Sequence, residues 1–323
     1  MAFSLEGLRL DGCIMEPASS TSYRTIFDDR PVPERVDLRD RCTPVEDQGQ
    51  IGSCTANAVV GAMEYHFMVS QGWSPDLSRL FVYYNSRRLR GTVMQDTGAT
   101  SPEAMASLLA YGSCKEELWP YNPMLFAMQP PPNAYDSARE HSAMQYARVD
   151  KVNGSIHALA EGIPVVFGTM IPSRCYEEAA KTGVMPQATD AERRGRPGGG
   201  HAMLMVGYDK PRRMFLVRNS WGRSWGEDGY CWIPFDLMDF FSPADQFWIV
   251  MTLAQSMKLP VVKPGGESAD DRTKMPEMLH GGGMRDTAAR MREEIRASLT
   301  KDIAGASSKI DELLSRSGRN RRD

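Results

Sequence analysis

The chain has 323 residues, a net charge of −3 at pH 7 and 41% hydrophobic residues, which is typical of a soluble globular protein with one large two-lobed domain or two ordinary ones. The mild negative charge gives no basis for binding nucleic acid or an anionic membrane. No apolar run approaches the ~18–20 residues that span a bilayer. The N-terminus lacks the basic start and apolar core of a secretory signal. We therefore expect no membrane span, no nucleic-acid partner and, by default, a cytoplasmic protein.

Six cysteines are spread along the chain without the CxxC or Cys/His spacing of a metal site. They are Cys13, Cys42, Cys54, Cys114, Cys175 and Cys231. In a reducing compartment most of them would be buried thiols that behave as small apolar groups. We expect neither a metal nor a cofactor.

Four regions follow one another along the chain. Residues 1–35 form an N-terminal extension that ends in a proline-punctuated stretch, and residues 36–260 have the composition of a compact domain. Residues 261–283, which are rich in glycine and polar side chains, predict a flexible linker. Residues 284–323 predict a charged C-terminal helix or tail.

Within the compact domain, the first half predicts helices and the second half predicts strands. One helix is predicted from residue 54 to residue 71, before Gly72, and another between residues 101 and 111, before Gly112. Strands are predicted near residues 164–171, 201–208, 214–219, 229–233 and 247–253. This order predicts an α+β fold with two lobes and a cleft between them.

A glycine-rich turn leads into the first predicted helix at Cys54. Residues 47–53 let the backbone turn tightly, and a thiol at a helix N-terminus lies near the positive end of the helix dipole. That position favours the thiolate, which is the nucleophile in acyl transfer. A lone cysteine is more often a buried structural thiol, but the polar neighbours Gln48 and Ser53 argue against an apolar pocket. Cys54 is therefore the candidate nucleophile.

His201 is the candidate general base and acid, because a nucleophilic thiol needs a proton acceptor that later protonates the leaving amine. It follows three glycines and starts a predicted strand, whereas the other four histidines lie in helical sequence or in the linker. Asn219 ends the next strand, where its side-chain oxygen can accept from one imidazole nitrogen and fix the ring. Taken singly, His201 could be a structural histidine and Asn219 an ordinary turn residue. The order Cys, His, Asn favours catalysis.

Five blocks of the sequence resemble the signature blocks of the papain family of cysteine peptidases, and residues 52–56 with 112–121 look closest to its bacterial and viral members. The blocks are residues 36–39, 44–50, 52–54, 201–207 and 219–230. The resemblance implies a papain-like fold with a helical left lobe, a β-barrel-like right lobe and the active-site cleft between them. It implies an endopeptidase that cleaves polypeptide substrates through a Cys54 thioacyl intermediate. It also implies that Gln48, six positions before Cys54, donates to the oxyanion together with the Cys54 backbone N–H.

The sequence departs from the family pattern beside the nucleophile. Thr55 stands where the family usually has tryptophan, and Ile51 stands where papain-like enzymes usually have a disulfide cysteine. The missing disulfide fits a reducing compartment; signal-less export and packaging into a virion stay open. Residues 1–35 precede the domain where the family keeps its inhibitory propeptide, so we expect this extension to lie in or near the cleft and restrain activity.

Two other functions remain open. The motifs do not separate an endopeptidase from an exopeptidase or a deconjugating amide hydrolase. A papain-like scaffold with little or no turnover, used as a structural or virion component, is a third class, although a scaffold needs none of the four site residues.

The tail carries a narrow apolar stripe between residues 284 and 314, at spacings of three and four. Such a stripe suits a partner helix or a coiled coil, so we expect a protein partner or self-association through this segment. A frayed, solvated helix is the alternative, because Gly305, Ser307 and Ser308 weaken the pattern.

Overall fold

The computed structural model describes residues 8–17, 24–25, 27, 30–142, 145–195, 198–251 and 261–262, and each structural statement concerns these residues. Residues 263–283 of the predicted linker and the predicted tail at 284–323 lie outside this part of the chain. Val261–Val262, which the sequence assigns to the linker, form a short strand that pairs with Arg24–Thr25. Sheet pairing therefore extends two residues past the predicted boundary at residue 260.

Both helices that the sequence predicts are present among the helices of the described residues. The helices are α1 Cys54–Gln71, α2 Arg79–Arg90, α3 Ser101–Tyr111, α4 Pro132–Ala138, α5 Val152–Ala160, α6 Ser173–Thr182, α7 Asp190–Arg194 and α8 Phe235–Phe241. Short 3-10 turns cover Arg39–Arg41, Glu116–Leu118 and Pro123–Leu125. Within the ranges that the structure describes, none of these helices has the length and apolar character that a bilayer crossing requires.

The ends of α1 and α3 explain why these two helices were predictable. α1 ends at Gly72, whose φ of 78° is in the left-handed region and whose N–H donates to the Met68 carbonyl at 3.0 Å. α3 starts with a capping box in which Thr100 and Glu103 each accept from the backbone N–H of the other. It ends at Gly112, with a φ of 76°. Both helices therefore carry their start or stop signals in local sequence.

The strands form one mixed sheet. They are β1 Arg24–Thr25, β2 Arg35–Asp37, β3 Gln145–Arg148, β4 Val165–Thr169, β5 His201–Asp209, β6 Met214–Arg218, β7 Tyr230–Pro234, β8 Phe247–Met251 and β9 Val261–Val262. Their order is β7-β6-β5-β4-β8-β3-β1-β9, and β2 pairs with β5 beyond the end of β4. The pairing is antiparallel everywhere except between β1 and β3. The five predicted strands correspond to β4, β5, β6, β7 and β8.

Each face of this sheet carries its own core, because successive side chains of a strand point to opposite faces. On β5, Leu204 and Val206 pack with α1, α2 and α3, whereas Met203 and Met205 pack with α5, α6 and α8. Gly61 of α1 faces Leu204 of β5, since a Cβ there would meet Leu204 Cδ2 at 3.6 Å, an ordinary contact distance. Helix α1, which begins at Cys54, and strand β5, which begins at His201, therefore pack together in the core.

This layout confirms the predicted α+β class, with helices first and strands second. The predicted β-barrel-like lobe needs one refinement. Among the described strands, β7 and β9 form the two edges of the sheet and do not pair with each other, so the sheet is open rather than closed into a barrel.

Candidate active site

Cys54 is the first residue of α1, and its side chain is fully buried. Ser53 precedes it without a side-chain cap, and the first turn has no acidic residue, so the positive end of the helix is not neutralised there. Asn57 Nδ2 donates to the Ser53 carbonyl at 3.0 Å and ties the turn to the helix. The candidate nucleophile therefore lies at the helix N-terminus that the sequence predicts.

His201 and Asn219 meet because they stand at adjoining strand ends. β5 begins at His201, and its antiparallel neighbour β6 ends one residue before Asn219. His201 Nε2 donates to Asn219 Oδ1 at 2.8 Å, and the same oxygen accepts from the Ser220 N–H at 2.9 Å. A proton on Nε2 leaves Nδ1 as the acceptor, and Nδ1 is buried without a hydrogen-bond partner. The ring is thus oriented with its free nitrogen available for a proton.

Aromatic rings enclose the His201–Asn219 pair. The Trp221 ring stacks on the imidazole, with ring centres 4.7 Å apart and an interplanar angle of 24°. Tyr176 contacts the imidazole edge-on at 5.7 Å, and Trp225 braces Trp221 from behind at 5.5 Å. These rings exclude water from the hydrogen bond that orients the histidine.

Gln48 lies between the Cys54 turn and the Asn219 turn. Its Oε1 accepts from Ser220 Oγ at 2.6 Å, and its Nε2 donates to the Ile51 carbonyl at 3.0 Å. Its backbone N–H donates to the Ser220 carbonyl at 2.8 Å, so side chain and main chain are both fixed. A side-chain amide has two N–H donors, and the contact to Ile51 uses one. The second remains for a substrate oxygen.

A stretch that we call the N-terminal segment, residues 8–17, lies against these residues. Its backbone is hydrogen-bonded on two sides: Cys13 N–H donates to the Gly200 carbonyl at 2.9 Å, and Gly12 and Ile14 bond to the backbone of Ala99 at 3.1 and 3.0 Å. Cys13 and Ala99 pair in the parallel sense. The glycines before His201 thus contact the protein's own N-terminal region.

Glycines make this close approach possible. A Cβ on Gly12 would lie 2.8 Å from the backbone of Gly52, and a Cβ on Gly98 would lie 2.2 Å from the Gly12 carbonyl oxygen. A Cβ on Gly200 would lie 2.0 Å from the Cys13 carbonyl oxygen. Larger side chains at these positions would separate the N-terminal segment from the cleft.

Burial determines the protonation of the Cys54 and His201 pair in this closed arrangement. It raises the pKa of the Cys54 thiol to about 12, although the backbone amides of Ala202, Thr55 and Cys54 itself lower it. Burial likewise lowers the pKa of His201 to about 4, against the opposing effect of its bond to Asn219. The backbone amides at the helix N-terminus thus act in the predicted direction, toward the thiolate, but desolvation outweighs them in this closed arrangement. Thiol and imidazole are both neutral near pH 7.

The structure brings all four predicted residues, Cys54, His201, Asn219 and Gln48, to one place; their catalytic roles stay predictions. Sequence reasoning missed two residues that hold Gln48. Ser220 lies within the family-like block 219–230, and its hydroxyl donates to Gln48 Oε1. The hydroxyl of Tyr121 donates to the Gln48 carbonyl at 2.9 Å. Nothing in the local sequence around Tyr121 indicated this contact. Among the described His, Cys, Asp and Glu side chains, no group of three or more is placed to hold a metal ion.

Comparison with known proteins identifies the family. Residues 32–237 match the family model described as papain family cysteine protease, which is more than half of the chain. This chain belongs to the papain family. It is 35% identical over 217 residues to an uncharacterized peptidase C1-like protein of Acanthamoeba polyphaga mimivirus, and the match covers 63% of this chain and 68% of that protein.

Solved structures agree with this assignment. Xylellain, a cysteine protease from Xylella fastidiosa, superposes with a TM-score of 0.66 at 32% identity, over 76% of this chain and 96% of its own. Bromelain from Ananas comosus, solved in complex with the E64 inhibitor, shares the fold with a TM-score of 0.53 at 19% identity, over 68% of this chain and 100% of its own. The predicted papain-like fold and the likeness to bacterial and viral members are confirmed. The chain spans 41% of one other curated relative, gamete and mating-type specific protein A of Dictyostelium discoideum.

Proposed function

We propose that this chain is a cysteine peptidase that hydrolyses peptide bonds of polypeptide substrates through a thioacyl intermediate on Cys54. The observation that carries the proposal is the state of the His201 ring. Its Nε2 is fixed by Asn219, its Nδ1 is buried and unpartnered, and the next amide along the strand, that of Ala202, contacts the Cys54 thiol. Membership in the papain family supports the same reaction.

The proposed reaction uses one imidazole twice. Nδ1 of His201 takes the proton of the Cys54 thiol, the sulfur bonds to the scissile carbonyl carbon, and the imidazolium protonates the amine as the C–N bond breaks. Water, deprotonated by the same nitrogen, then attacks the thioester and releases the carboxylic acid and the thiol. The second N–H of Gln48 and the Cys54 backbone N–H hold the oxyanion of each tetrahedral intermediate.

The test replaces the two reacting groups. Cys54→Ala and His201→Ala are each expected to abolish hydrolysis of a peptide amide while thermal unfolding shows an intact fold. Cys42→Ala, which removes a half-buried thiol, serves as the control and should keep wild-type turnover. An epoxysuccinyl peptide should label the wild type at Cys54 and leave Cys54→Ala unlabelled. Turnover within tenfold of wild type in either active-site variant would refute the proposal.

We propose further that the enzyme is an endopeptidase. The support is the course of the N-terminal segment, which continues along the cleft in both directions from Gly12. On one side Leu10 lies against Gly199, and on the other the Glu16 carbonyl accepts from Gln246 Nε2 at 2.9 Å. A cleft that holds a continuous chain on both sides of the nucleophile suits cleavage within a chain.

An internally quenched peptide blocked at both termini tests this point. Cleavage at an interior bond is expected. Cleavage restricted to peptides with a free terminus would favour the exopeptidase alternative instead.

We also propose that the N-terminal segment restrains the activity of the full-length chain. It occupies the cleft, its backbone bonds to Gly200 and Ala99 as a substrate strand would, and both reacting groups are neutral while it is there. Cys13 of the segment pairs with Ala99 in the parallel sense, so the segment runs past the nucleophile in one fixed chain direction.

Deletion of residues 1–17 tests the restraint and leaves β1 in place. The shortened enzyme is expected to turn over a small peptide amide at least about tenfold faster than full length, since the segment competes for the cleft at high effective concentration. Adding back a synthetic peptide of residues 8–17 should inhibit it. A shortened enzyme no faster than full length would leave the segment a purely structural role.

A further inference from the structure

We propose that Asp96 is a positioning residue for the nucleophile and that the same carboxylate anchors the N-terminal segment. The inference rests on the proposed peptidase function. Asp96 lies in the loop between α2 and α3, outside the five family-like blocks, and its side chain is 19% exposed. It receives hydrogen bonds from three different parts of the protein.

The first contact is with the turn that carries Cys54. The backbone N–H of Gly52 donates to both carboxylate oxygens of Asp96, at 3.0 and 3.3 Å. Gly52 is buried and stands two residues before the nucleophile. Hydrogen bonds to an ionised acceptor are stronger than neutral ones, so this contact fixes the turn more firmly than a backbone carbonyl would.

The second contact attaches the carboxylate to a rigid element. The hydroxyl of Tyr83, on α2, donates to Asp96 Oδ1 and accepts from the Gly98 N–H at 3.1 Å. The Tyr83 ring is buried in the core between the sheet and α1, α2 and α3, so Asp96 is held by a helix as well as by its own loop. The turn at Gly52 is thereby coupled to α2.

The position of the turn matters because it sets where the Cys54 sulfur and the Cys54 backbone N–H lie. The turn has no regular secondary structure before α1, and within it the Ser53 N–H donates to the Ile51 carbonyl at 2.8 Å. Without Asp96, the Gly52 N–H would lose its acceptor in a buried place, and the turn would shift to satisfy it. A displacement of about 1 Å at a reacting group costs about 10²-fold in rate.

The third contact is with the N-terminal segment. Arg9 Nη1 donates to Asp96 Oδ2 at 2.7 Å, and Nη2 donates to the Asp96 carbonyl at 3.4 Å. Arg9 lies three residues before Gly12, the residue that packs on Gly52. Asp96 therefore bonds at once to the catalytic turn and to the chain that covers it. Departure of the segment removes Arg9 and leaves the Gly52 contact.

Three variants of the full-length chain separate the two roles. Asp96→Asn keeps a side-chain oxygen for Gly52 but turns an N–H donor toward Arg9, and Asp96→Ala removes both contacts. Arg9→Gln removes the guanidinium that bonds to Asp96 and leaves the Gly52 contact in place. Turnover of a doubly blocked fluorogenic peptide is measured as kcat and KM, with thermal unfolding for each variant. Asp236→Asn, at an exposed carboxylate paired with Arg213 at 2.7 Å, is the matched control and should match wild type.

We expect Arg9→Gln and Asp96→Asn to raise turnover by roughly three- to tenfold, because a partly exposed ion pair contributes modestly to holding the segment. Asp96→Ala should have a kcat at least about tenfold below that of Asp96→Asn, with a similar KM, since the turn is then unsupported. Rescue by asparagine is the result that a merely structural carboxylate would not give. If Asp96→Ala does not fold, Tyr83→Phe replaces it and should lower kcat at unchanged KM.

Equal kcat values for Asp96→Ala and Asp96→Asn, or an unchanged kcat in Tyr83→Phe, would overturn the positioning role. Wild-type turnover in both Arg9→Gln and Asp96→Asn would overturn the anchoring role. These outcomes are distinct from failure of the peptidase proposal, which turnover within tenfold of wild type in Cys54→Ala or His201→Ala would show.

Discussion

The two sides of the cleft are built in different ways. On the imidazole side, His201 contacts the rings of Trp221 and Tyr176, which belong to the core between the sheet and α5, α6 and α8, and its partner Asn219 directly follows the neighbouring strand β6. On the nucleophile side, the residues before Cys54 form an irregular turn held by side chains from elsewhere in the chain. One side is held by apolar packing and the other by polar contacts.

This difference indicates which side responds when the cleft opens. The ring contacts of His201 involve no residue of the N-terminal segment, which on this side bonds to the backbone of Gly200, whereas Asp96 and Gly52 on the nucleophile side contact the segment directly. Departure of the segment should therefore change the surroundings of the thiol more than the orientation of the ring.

The largest effect short of removing a reacting group is expected at Gln48, which spans both sides. Gln48→Ala removes the side-chain donor to the oxyanion and leaves the Cys54 backbone N–H, so turnover should fall by about 10²–10³. Gln50→Ala, which truncates an exposed amide two residues further on, is the control. An unchanged rate in Gln48→Ala would remove it from the site and leave the nucleophile side with the Cys54 amide alone.

Asn219→Ala tests the imidazole side by itself. Loss of the oxygen that accepts from Nε2 should lower kcat by about 10²-fold, below the ~10⁴ known for a charged orienting group, because the aromatic contacts still restrict the ring. KM should change little. The exposed Asn153→Ala is the control. If Asn219→Ala keeps wild-type kcat, packing alone orients the imidazole, and the comparison between the two sides becomes sharper still.

Gly12→Val tests the nucleophile side by displacing the N-terminal segment that lies on it. A side chain at residue 12 would overlap the backbone of Gly52, so the segment should leave the cleft. Burial then no longer holds the pKa of Cys54 near 12, and the thiolate should form at lower pH. The pH dependence of Cys54 alkylation by iodoacetamide measures this, with Cys54→Ala as the control for site selectivity. Identical pH profiles in Gly12→Val and wild type would show that the segment does not set the thiol's surroundings.

Sequence reasoning succeeded where the signal is local. The helix that starts at Cys54, its stop at Gly72, and the strands that carry His201 and Asn219 follow from glycine positions and apolar patterns within a few residues. The family of the protein followed from blocks of the same kind, and both fold class and family are confirmed. Catalytic roles, endopeptidase activity, compartment, partners and the function of the tail stay predictions.

What the sequence did not predict depends on contacts between distant residues. Asp96 bonds to Gly52, 44 positions away, and Arg9 bonds to Asp96 from 87 positions away. The short strands β1 and β9 pair with each other although more than two hundred residues separate them, and two-residue strands carry no periodic signal. The protonation of Cys54 was also out of reach, because it depends on how completely the site is covered.

The smallest predicted effect concerns stability, at a buried carboxyl on the helix of the nucleophile. Glu64 of α1 accepts from the Leu77 N–H at 2.9 Å and from Thr43 Oγ1 at 2.6 Å. Burial raises the pKa of Glu64 to about 7, although the bonds from Thr43 and Leu77 lower it. The folded protein therefore retains a proton that the unfolded chain releases above its ordinary pKa near 4.3. Stability from this group is present below that pH and is lost as pH rises through about 7.

Glu64→Gln cannot ionise, so it should lack this loss. Between pH 5 and pH 8, the free energy of unfolding of Glu64→Gln is expected to rise relative to that of wild type by on the order of 2 kcal/mol. Urea unfolding at the two pH values measures the difference, and the exposed Glu140→Gln is the control. Turnover should change little, because Glu64 bonds to Thr43 and Leu77 and to neither reacting group. A difference between variant and wild type that is the same at both pH values would mean that Glu64 is ionised in the folded protein, and the nucleophile helix would then rest on a buried charge rather than a neutral acid.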